Sequence, residues 1–200
     1  MSFVPLPTEF SNESIEININ DLDIPKNFQE YHPLLVGIVL DISLRHHADS
    51  RRHIDIIKAE LTKAISPLEE RDDRVYLYHP DNNEIPSHQG EAISRIADYR
   101  TPLLVEAEAI KKTLEMIGME DHHLRKKFIF ITDRNSGQKE SAMRLALSQN
   151  KTKDYRCELY LIGIGNGYNP ILENLPLEYH HIDDPYQLSN KVTEVLHKWH

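Results

Sequence analysis

Four oxygen-bearing side chains in this sequence stand where they could share one binding site. Asp41 and Ser43 directly follow one apolar run, Asp133 follows a second one, and Thr101 precedes an amphipathic stretch. Ligands of open α/β sheets lie just beyond the carboxyl ends of the central strands, so the four side chains meet at one rim if the two runs are neighbouring strands. Two carboxylates and two hydroxyls form an all-oxygen set that suits a hard cation such as Mg²⁺ better than zinc.

Each of these side chains also has an ordinary structural interpretation. Thr101 is a suitable N-cap for the helix that follows it, and Ser43 could cap the first helix. Asp133 could hydrogen-bond the backbone of its own turn. The joint placement of all four at the ends of elements favours a shared site over separate roles.

The elements that must position these residues alternate between strands and helices. The run at 34–40 is apolar without alternation, which is typical of a strand buried on both faces of a parallel sheet. Predicted strands span residues 34–40, 74–79, 127–132, 157–164 and 178–182, with at most a weak edge strand at 80–90. Predicted helices span residues 51–65, 91–99, 102–117, 138–148, 170–175 and 185–199. This order predicts an α/β fold, Rossmann-like, with a mostly parallel central sheet and helices on both faces.

The domain organisation follows from the same periodicity. Residues 33–200 carry the alternating elements and are predicted to form one domain. Residues 1–32 are rich in Asn, Asp, Glu, Ser and Pro with little periodicity, which predicts an N-terminal arm or extension. The central-strand side chains that should be buried together are Val36, Ile38, Leu40, Phe128, Phe130 and Leu161.

The composition narrows the class of partner. The formal net charge of −9 and the absence of a dense Lys/Arg run argue against nucleic acid or an anionic membrane. No apolar stretch is long enough to span a bilayer, and the N-terminus lacks the pattern of a signal peptide. The single cysteine, Cys157, cannot form an internal disulfide, so a cytoplasmic location is expected. The twelve histidines lack the tight spacing of a zinc motif and are expected at the surface.

The strand-end residues resemble the metal-ion-dependent adhesion site of the von Willebrand factor A (vWA) family. That site opens with Asp-x-Ser-x-Ser after a buried strand and is completed by a threonine before a helix and an aspartate after a later strand. The matching pieces here are Asp41-Ile42-Ser43-Leu44-Arg45, Arg100-Thr101-Pro102-Leu103-Leu104 and Phe130-Ile131-Thr132-Asp133, and residues 161–165 (LIGIG) are similar to the family's penultimate strand. The resemblance covers roughly residues 33–199. It implies a vWA-type three-layer sandwich with Asp41, Ser43, Thr101 and Asp133 as metal ligands.

Two arginines depart from the family pattern at this rim. Arg45 stands where the family has its second serine ligand, and Arg134 stands where it has a glycine after the last aspartate. A guanidinium offers only donors and stays charged, so it cannot ligate a metal. At about 4 Å and an effective dielectric of about 20, each pair of unit charges is worth roughly 4 kcal/mol. A Mg²⁺ site and a metal-independent site both stay open, and the arginines favour the second.

The guanidinium of Arg45 suggests how the rim could dispense with an ion. If Asp41 and Asp133 lie close together, a positive group must offset their repulsion, and the planar fork of Arg45 could reach one or both carboxylates. The alternative is that Arg45 points to solvent from its loop.

The resemblance implies a non-enzymatic protein–protein interaction module. In the family a carboxylate of the partner protein completes the metal site, so the partner is expected to present an acidic residue to a rim that includes Arg45 and Arg134. Nothing in the sequence activates a nucleophile, since Ser43 has no evident His–Asp relay. One alternative is a phosphoryl-transfer hydrolase with Asp41 as nucleophile, although Ser43 stands where haloacid-dehalogenase-type phosphatases have a second aspartate. Another alternative is a vWA-like scaffold with a purely structural role.

Overall fold

The computed structural model describes residues 33–42, 50–70, 73–78, 107–121, 123–133, 137–165 and 172–198. The predicted weak strand at 80–90, the helix at 91–99 and the beginning of the helix at 102–117 lie outside these ranges. Residues 1–32 also lie outside them, so the division of the chain into an arm and a domain stays a prediction.

Five strands form the sheet of the described residues. They are β1 (Leu34–Asp41), β2 (Arg74–Leu77), β3 (Arg125–Thr132), β4 (Cys157–Ile164) and β5 (Glu178–Ile182). Their order across the sheet is β2-β1-β3-β4-β5, and every neighbouring pair is parallel. The predicted α/β class with a parallel sheet is confirmed. The apolar runs at 34–40 and 127–132 are paired directly, with Asp41 opposite Thr132 at the end of the ladder.

Four α-helices in the described ranges cover this sheet. They are α1 (Ser50–Ile65), α2 (Ala107–Met119), α3 (Gly137–Thr152) and α4 (Leu188–His197). Short 3₁₀ turns occupy Ser66–Glu70, Leu172–Asn174 and Pro185–Gln187, and the side chain of Asp184 caps the last of these by accepting from the Tyr186 N–H. None of the helices within these ranges is long and apolar enough to cross a membrane.

The core consists of two apolar clusters, one on each face of the sheet. Side chains of α1 and α4 pack with one cluster, and side chains of α2 and α3 pack with the other. The six residues predicted to be buried together are all buried, but they divide between the faces. Val36, Ile38 and Leu40 face α1 and α4, whereas Phe128, Phe130 and Leu161 face α2 and α3. Successive side chains of a strand point to opposite faces, and the pairing register places Phe128 opposite Gly37 rather than opposite Ile38.

Gly37 allows α2 to lie close against β1. A Cβ atom at this position would stand 2.9 Å from Thr113 Cγ2 and 3.1 Å from two carbons of the Ile117 side chain. Any larger residue would push the helix away from the sheet, because the facing Thr113 and Ile117 side chains are fully buried.

Basic residues at the start of β3 bind the C-terminal ends of two helices, one on each face. Lys126 donates from Nζ to the carbonyls of Gly118 (2.9 Å) and Glu120 (2.6 Å) at the end of α2. Lys127 donates from Nζ to the carbonyls of Val195 (2.5 Å) and Lys198 (2.8 Å) at the end of α4. The last carbonyls of a helix have no partner within it and carry partial negative charge, so ammonium groups satisfy them well. These contacts attach both helices to the central strand pair.

Candidate functional site

Asp41 and Asp133 lie next to each other at the carboxyl end of the sheet. Asp41 is the last residue of β1, and Asp133 directly follows β3, whose final residue Thr132 is paired with Asp41. The Asp133 N–H points at the Asp41 carbonyl oxygen at 3.4 Å. β2 lies on one side of β1, and β3 lies on the other side. The direction in which successive strands are added to the sheet therefore reverses between β1 and β3. Open α/β sheets bind ligands in the crevice at such a point.

Both carboxylates are enclosed by the protein. Asp41 is 4% exposed and Asp133 is 3% exposed. The hydroxyl of the fully buried Thr132 donates to Asp41 Oδ2 at 3.2 Å. A charged group in a buried position must be hydrogen-bonded or matched by an opposite charge. The two aspartates therefore form a buried polar centre at the carboxyl end of the sheet.

His53 is a third buried polar group at this centre, and sequence reasoning missed it. It lies in the first turn of α1, is 9% exposed, and places Nε2 3.6 Å from Asp133 Oδ2. The expectation that the histidines lie at the surface is wrong for this residue. The sequence contained a signal for this burial. His53 precedes the buried Ile57 by four residues and so lies on the apolar face of α1.

The remaining predicted site residues lie outside the described ranges. These are Ser43, Arg45, Thr101 and Arg134. The structure thus brings together the two carboxylates of the predicted set, and the positions of the two hydroxyls and the two arginines stay predictions.

The described part of the site offers two carboxylates to a hard cation, those of Asp41 and Asp133. Mg²⁺ requires oxygen ligands in near-octahedral geometry. Here one Asp41 oxygen accepts from Thr132, and the Asp133 carboxylate faces an imidazole nitrogen. Among the described residues, no three acidic, histidine or cysteine side chains are arranged to hold a metal ion. The described residues alone therefore do not complete a magnesium ligand set, and metal binding at this rim stays a prediction.

Comparison of structures identifies proteins of similar fold, whereas comparison of sequences finds no match. The sequence matches no protein-family model and no curated protein. Solved structures of similar fold include the pilus adhesin SpaC from Lactobacillus rhamnosus GG in its open conformation, with a TM-score of 0.56 and 10% identity. They also include the SpRpn10 VWA domain, with a TM-score of 0.54 and 12% identity. A third is the manganese-loaded TRAP protein of Plasmodium vivax, with a TM-score of 0.55 and 17% identity.

These similarities identify the class of fold. The alignments cover 84%, 80% and 82% of this chain respectively, so they include most of the domain. They cover 30% of the SpaC chain, 95% of the SpRpn10 domain and 72% of the TRAP chain. The chain therefore has a vWA-like fold, and the resemblance found in the sequence is confirmed at that level.

A concave feature lies at the opposite end of the sheet from the two aspartates. A groove of about 520 Å³ is bordered by the end of α3 and the beginnings of β4 and β5, with Leu147, Leu159 and Leu177 among its apolar lining. Cys157 also lines this groove. The Asn150 side chain donates from Nδ2 to the Cys157 carbonyl (2.8 Å) and accepts at Oδ1 from the Cys157 N–H (3.1 Å). Burial raises the pKa of the Cys157 thiol to about 12. This groove therefore offers no activated nucleophile.

The Cys157 thiol is expected to react very slowly in the folded protein. The thiolate is the reactive form, so a pKa near 12 lowers the alkylation rate at neutral pH by about 10³-fold relative to an ordinary cysteine. Iodoacetamide labelling followed by mass spectrometry measures the rate in native protein and in concentrated urea. The matched control is Ser148→Cys in a Cys157→Ser background, because residue 148 is exposed. Native labelling of Cys157 as fast as that of the control would contradict the expectation.

Proposed function

We propose that this chain is a non-enzymatic, cytoplasmic protein-interaction module of the vWA type. Its docking surface is the rim around Asp41, Ser43, Thr101 and Asp133. The observation that carries the proposal is the placement of Asp41 and Asp133 side by side where the strand order reverses, in a vWA-like fold. Because both aspartates are buried, the residues that follow them in the chain, rather than the aspartates themselves, contact the partner under this proposal.

The rim works without a metal ion under this proposal. Arg45 replaces one family ligand by a fixed positive charge, and Arg134 adds a second charge after Asp133. Under this proposal the guanidinium of Arg45 pairs with the buried carboxylates and supplies the positive charge that the ion supplies in the family. The partner presents an acidic side chain to the two arginines, since a carboxylate accepts both N–H groups of a guanidinium fork.

The docking proposal is tested by capture followed by reconstitution. Wild type and the variant Arg45→Glu/Arg134→Glu are immobilised and exposed to an extract of the source cells. The matched control is Arg144→Glu, a charge reversal at an exposed arginine on α3. A protein retained by wild type and control but lost from the rim variant is then purified, and its affinity is measured by calorimetry. The rim variant is expected to weaken binding by at least about tenfold, which is about 1.4 kcal/mol. Equal affinity for all three proteins would assign the docking surface elsewhere.

The substitution Arg45→Ser is expected to create a measurable affinity for Mg²⁺. Serine restores the second hydroxyl of the family's ligand set and removes a positive charge next to the carboxylates. Wild type should show no Mg²⁺-dependent thermal stabilisation, whereas Arg45→Ser should gain about 2–4 °C when the ion is about four times its dissociation constant. A thermal-shift titration with Mg²⁺ measures this. Saturable stabilisation of the wild type by Mg²⁺ would contradict the metal-independent proposal.

The enzymatic alternative is tested by a direct assay. Hydrolysis of a generic phosphate ester that is lost in Asp41→Asn would assign Asp41 as a nucleophile and overturn the docking proposal. No such activity is expected, because the second carboxylate that this chemistry needs is replaced by Ser43.

A further inference from the structure

We infer that the imidazole of His53 takes up space beside Asp133 that the ligands of a divalent cation would need, and so weakens metal binding at this rim. This inference deepens the proposed function in one respect, because it names a described residue that makes the rim metal-independent. His53 is a positioning residue in this role: it holds the Asp133 carboxylate and does not touch a partner.

The contact is built into the framework of the fold. His53 Nε2 and Asp133 Oδ2 are 3.6 Å apart, and both atoms are buried. His53 projects from the first turn of α1, which is anchored to the sheet by the buried side chains of Ile57 and Leu61. Asp133 directly follows β3, a central strand whose residues 126–132 are buried. Both backbones are thus anchored in the core, and this anchoring places the ring next to the carboxylate.

The position of the ring conflicts with the coordination shell of a hard cation. Mg²⁺ bound to Asp133 would gather further oxygen ligands about 2.0–2.1 Å from itself, including water molecules. The His53 Nε2 atom lies 3.6 Å from Asp133 Oδ2, so the ring takes space that such ligands would need on that side of the carboxylate. Its nitrogen is also a poor substitute for an oxygen, because imidazole suits zinc, copper, iron and nickel. The ring therefore weakens Mg²⁺ binding beside Asp133, and this effect does not depend on its protonation state.

Zinc is the competing occupant that the test must exclude. An imidazole nitrogen and a carboxylate oxygen are both zinc ligands, and 3.6 Å is compatible with two ligands of one tetrahedral ion. A stable zinc site needs at least a third protein ligand, and the described ranges hold no such group of three. Under this inference Zn²⁺ does not stabilise the wild type, and the test includes Zn²⁺ for that reason.

The inference is tested by combining two substitutions. Mg²⁺ affinity is measured by calorimetry and thermal shift for wild type, His53→Asn, Arg45→Ser and the double variant. Asparagine is shorter than histidine, so it opens space beside Asp133. In the Arg45→Ser background, adding His53→Asn should tighten Mg²⁺ binding by at least about tenfold, a change of about 1.4 kcal/mol. The matched control is His123→Asn in the same background, at an exposed histidine, and it should change nothing.

Each outcome decides the inference. It is supported if the double variant binds Mg²⁺ at least tenfold more tightly than Arg45→Ser, or binds the ion when Arg45→Ser does not. It is overturned if His53→Asn adds nothing to Arg45→Ser, if no variant binds Mg²⁺, or if Zn²⁺ stabilises the wild type and that effect disappears in His53→Asn.

A second readout uses the wild-type protein and covers the case in which His53→Asn fails to fold. The ring nitrogen signals of His53 are followed by NMR during titration with Mg²⁺ and with Zn²⁺. No saturable change is expected with either ion, and a saturable change would overturn the inference. These measurements involve no partner protein, so their failure is separate from a failure of the docking proposal, which is decided by the arginine charge reversals.

Discussion

Replacing Ile38 with alanine is expected to lower the free energy of unfolding by about 2–5 kcal/mol. Ile38 is fully buried at the middle of β1, paired with Leu77 of β2 on one side and Ile129 of β3 on the other. The substitution removes apolar contacts and leaves a cavity under α1 and α4 that the sheet cannot close, because β1 is held on both edges. Equilibrium unfolding in urea measures the change.

The matched control for this experiment is Leu145→Ala. Leu145 lies on α3 and is 43% exposed, so truncation there should change the stability by less than about 1 kcal/mol. A loss at Ile38 that is no larger than the loss at Leu145 would show that β1 is not an interior strand of the sheet in solution.

Replacing Lys127 with methionine is expected to cost about 1–3 kcal/mol of stability. Methionine keeps most of the side-chain length but removes the donors that satisfy the carbonyls of Val195 and Lys198 at the end of α4. These acceptors stay in place after the substitution, so the apolar side chain leaves them unsatisfied. The ammonium group also contacts Glu158 at 3.4 Å and lies 5.3 Å from the centre of the Tyr160 ring, and both contacts are lost. Urea unfolding and amide exchange in α4 measure the effect.

The pH dependence provides a second signature of Lys127. Burial lowers the pKa of Lys127 below its ordinary value of 10.5. Between the lowered value and 10.5 the unfolded chain binds the proton more tightly, so this residue makes the protein more stable as the pH rises through that window. Lys127→Met should remove this part of the pH profile. Lys151→Met, at an exposed lysine on α3, is the control and should leave both stability and profile within about 0.5 kcal/mol of wild type.

The strands were predictable from the sequence because a doubly buried strand is a local pattern. The run that became β1 was recognised by its continuous apolar residues, and β4 and β5 begin and end at the predicted residues. Helix ends were less well predicted. The helix predicted over 138–148 extends to Thr152 as α3, because no proline or glycine interrupts the chain there.

The distribution of the core between the two faces was not predictable from the apolar pattern alone. A strand that is buried on both sides shows no alternation, so nothing in the sequence separates Ile38 from Phe128. The pairing between β1 and β3 decides which face each side chain occupies. The register places Phe128 opposite Gly37 and thereby assigns Phe128 to the face of α2 and α3.

The sequence by itself identified two aspartates of the candidate site, because each of them follows an apolar run. Parallel strands bring their carboxyl ends to one edge, so Asp41 and Asp133 meet once β1 and β3 are neighbours. Only the tertiary structure decided that His53 faces Asp133 and that Lys127 binds the end of α4. Those contacts join residues that are about 70 or more positions apart in the chain, and their geometry depends on how each helix packs on the sheet. Local residue patterns carry no record of that packing.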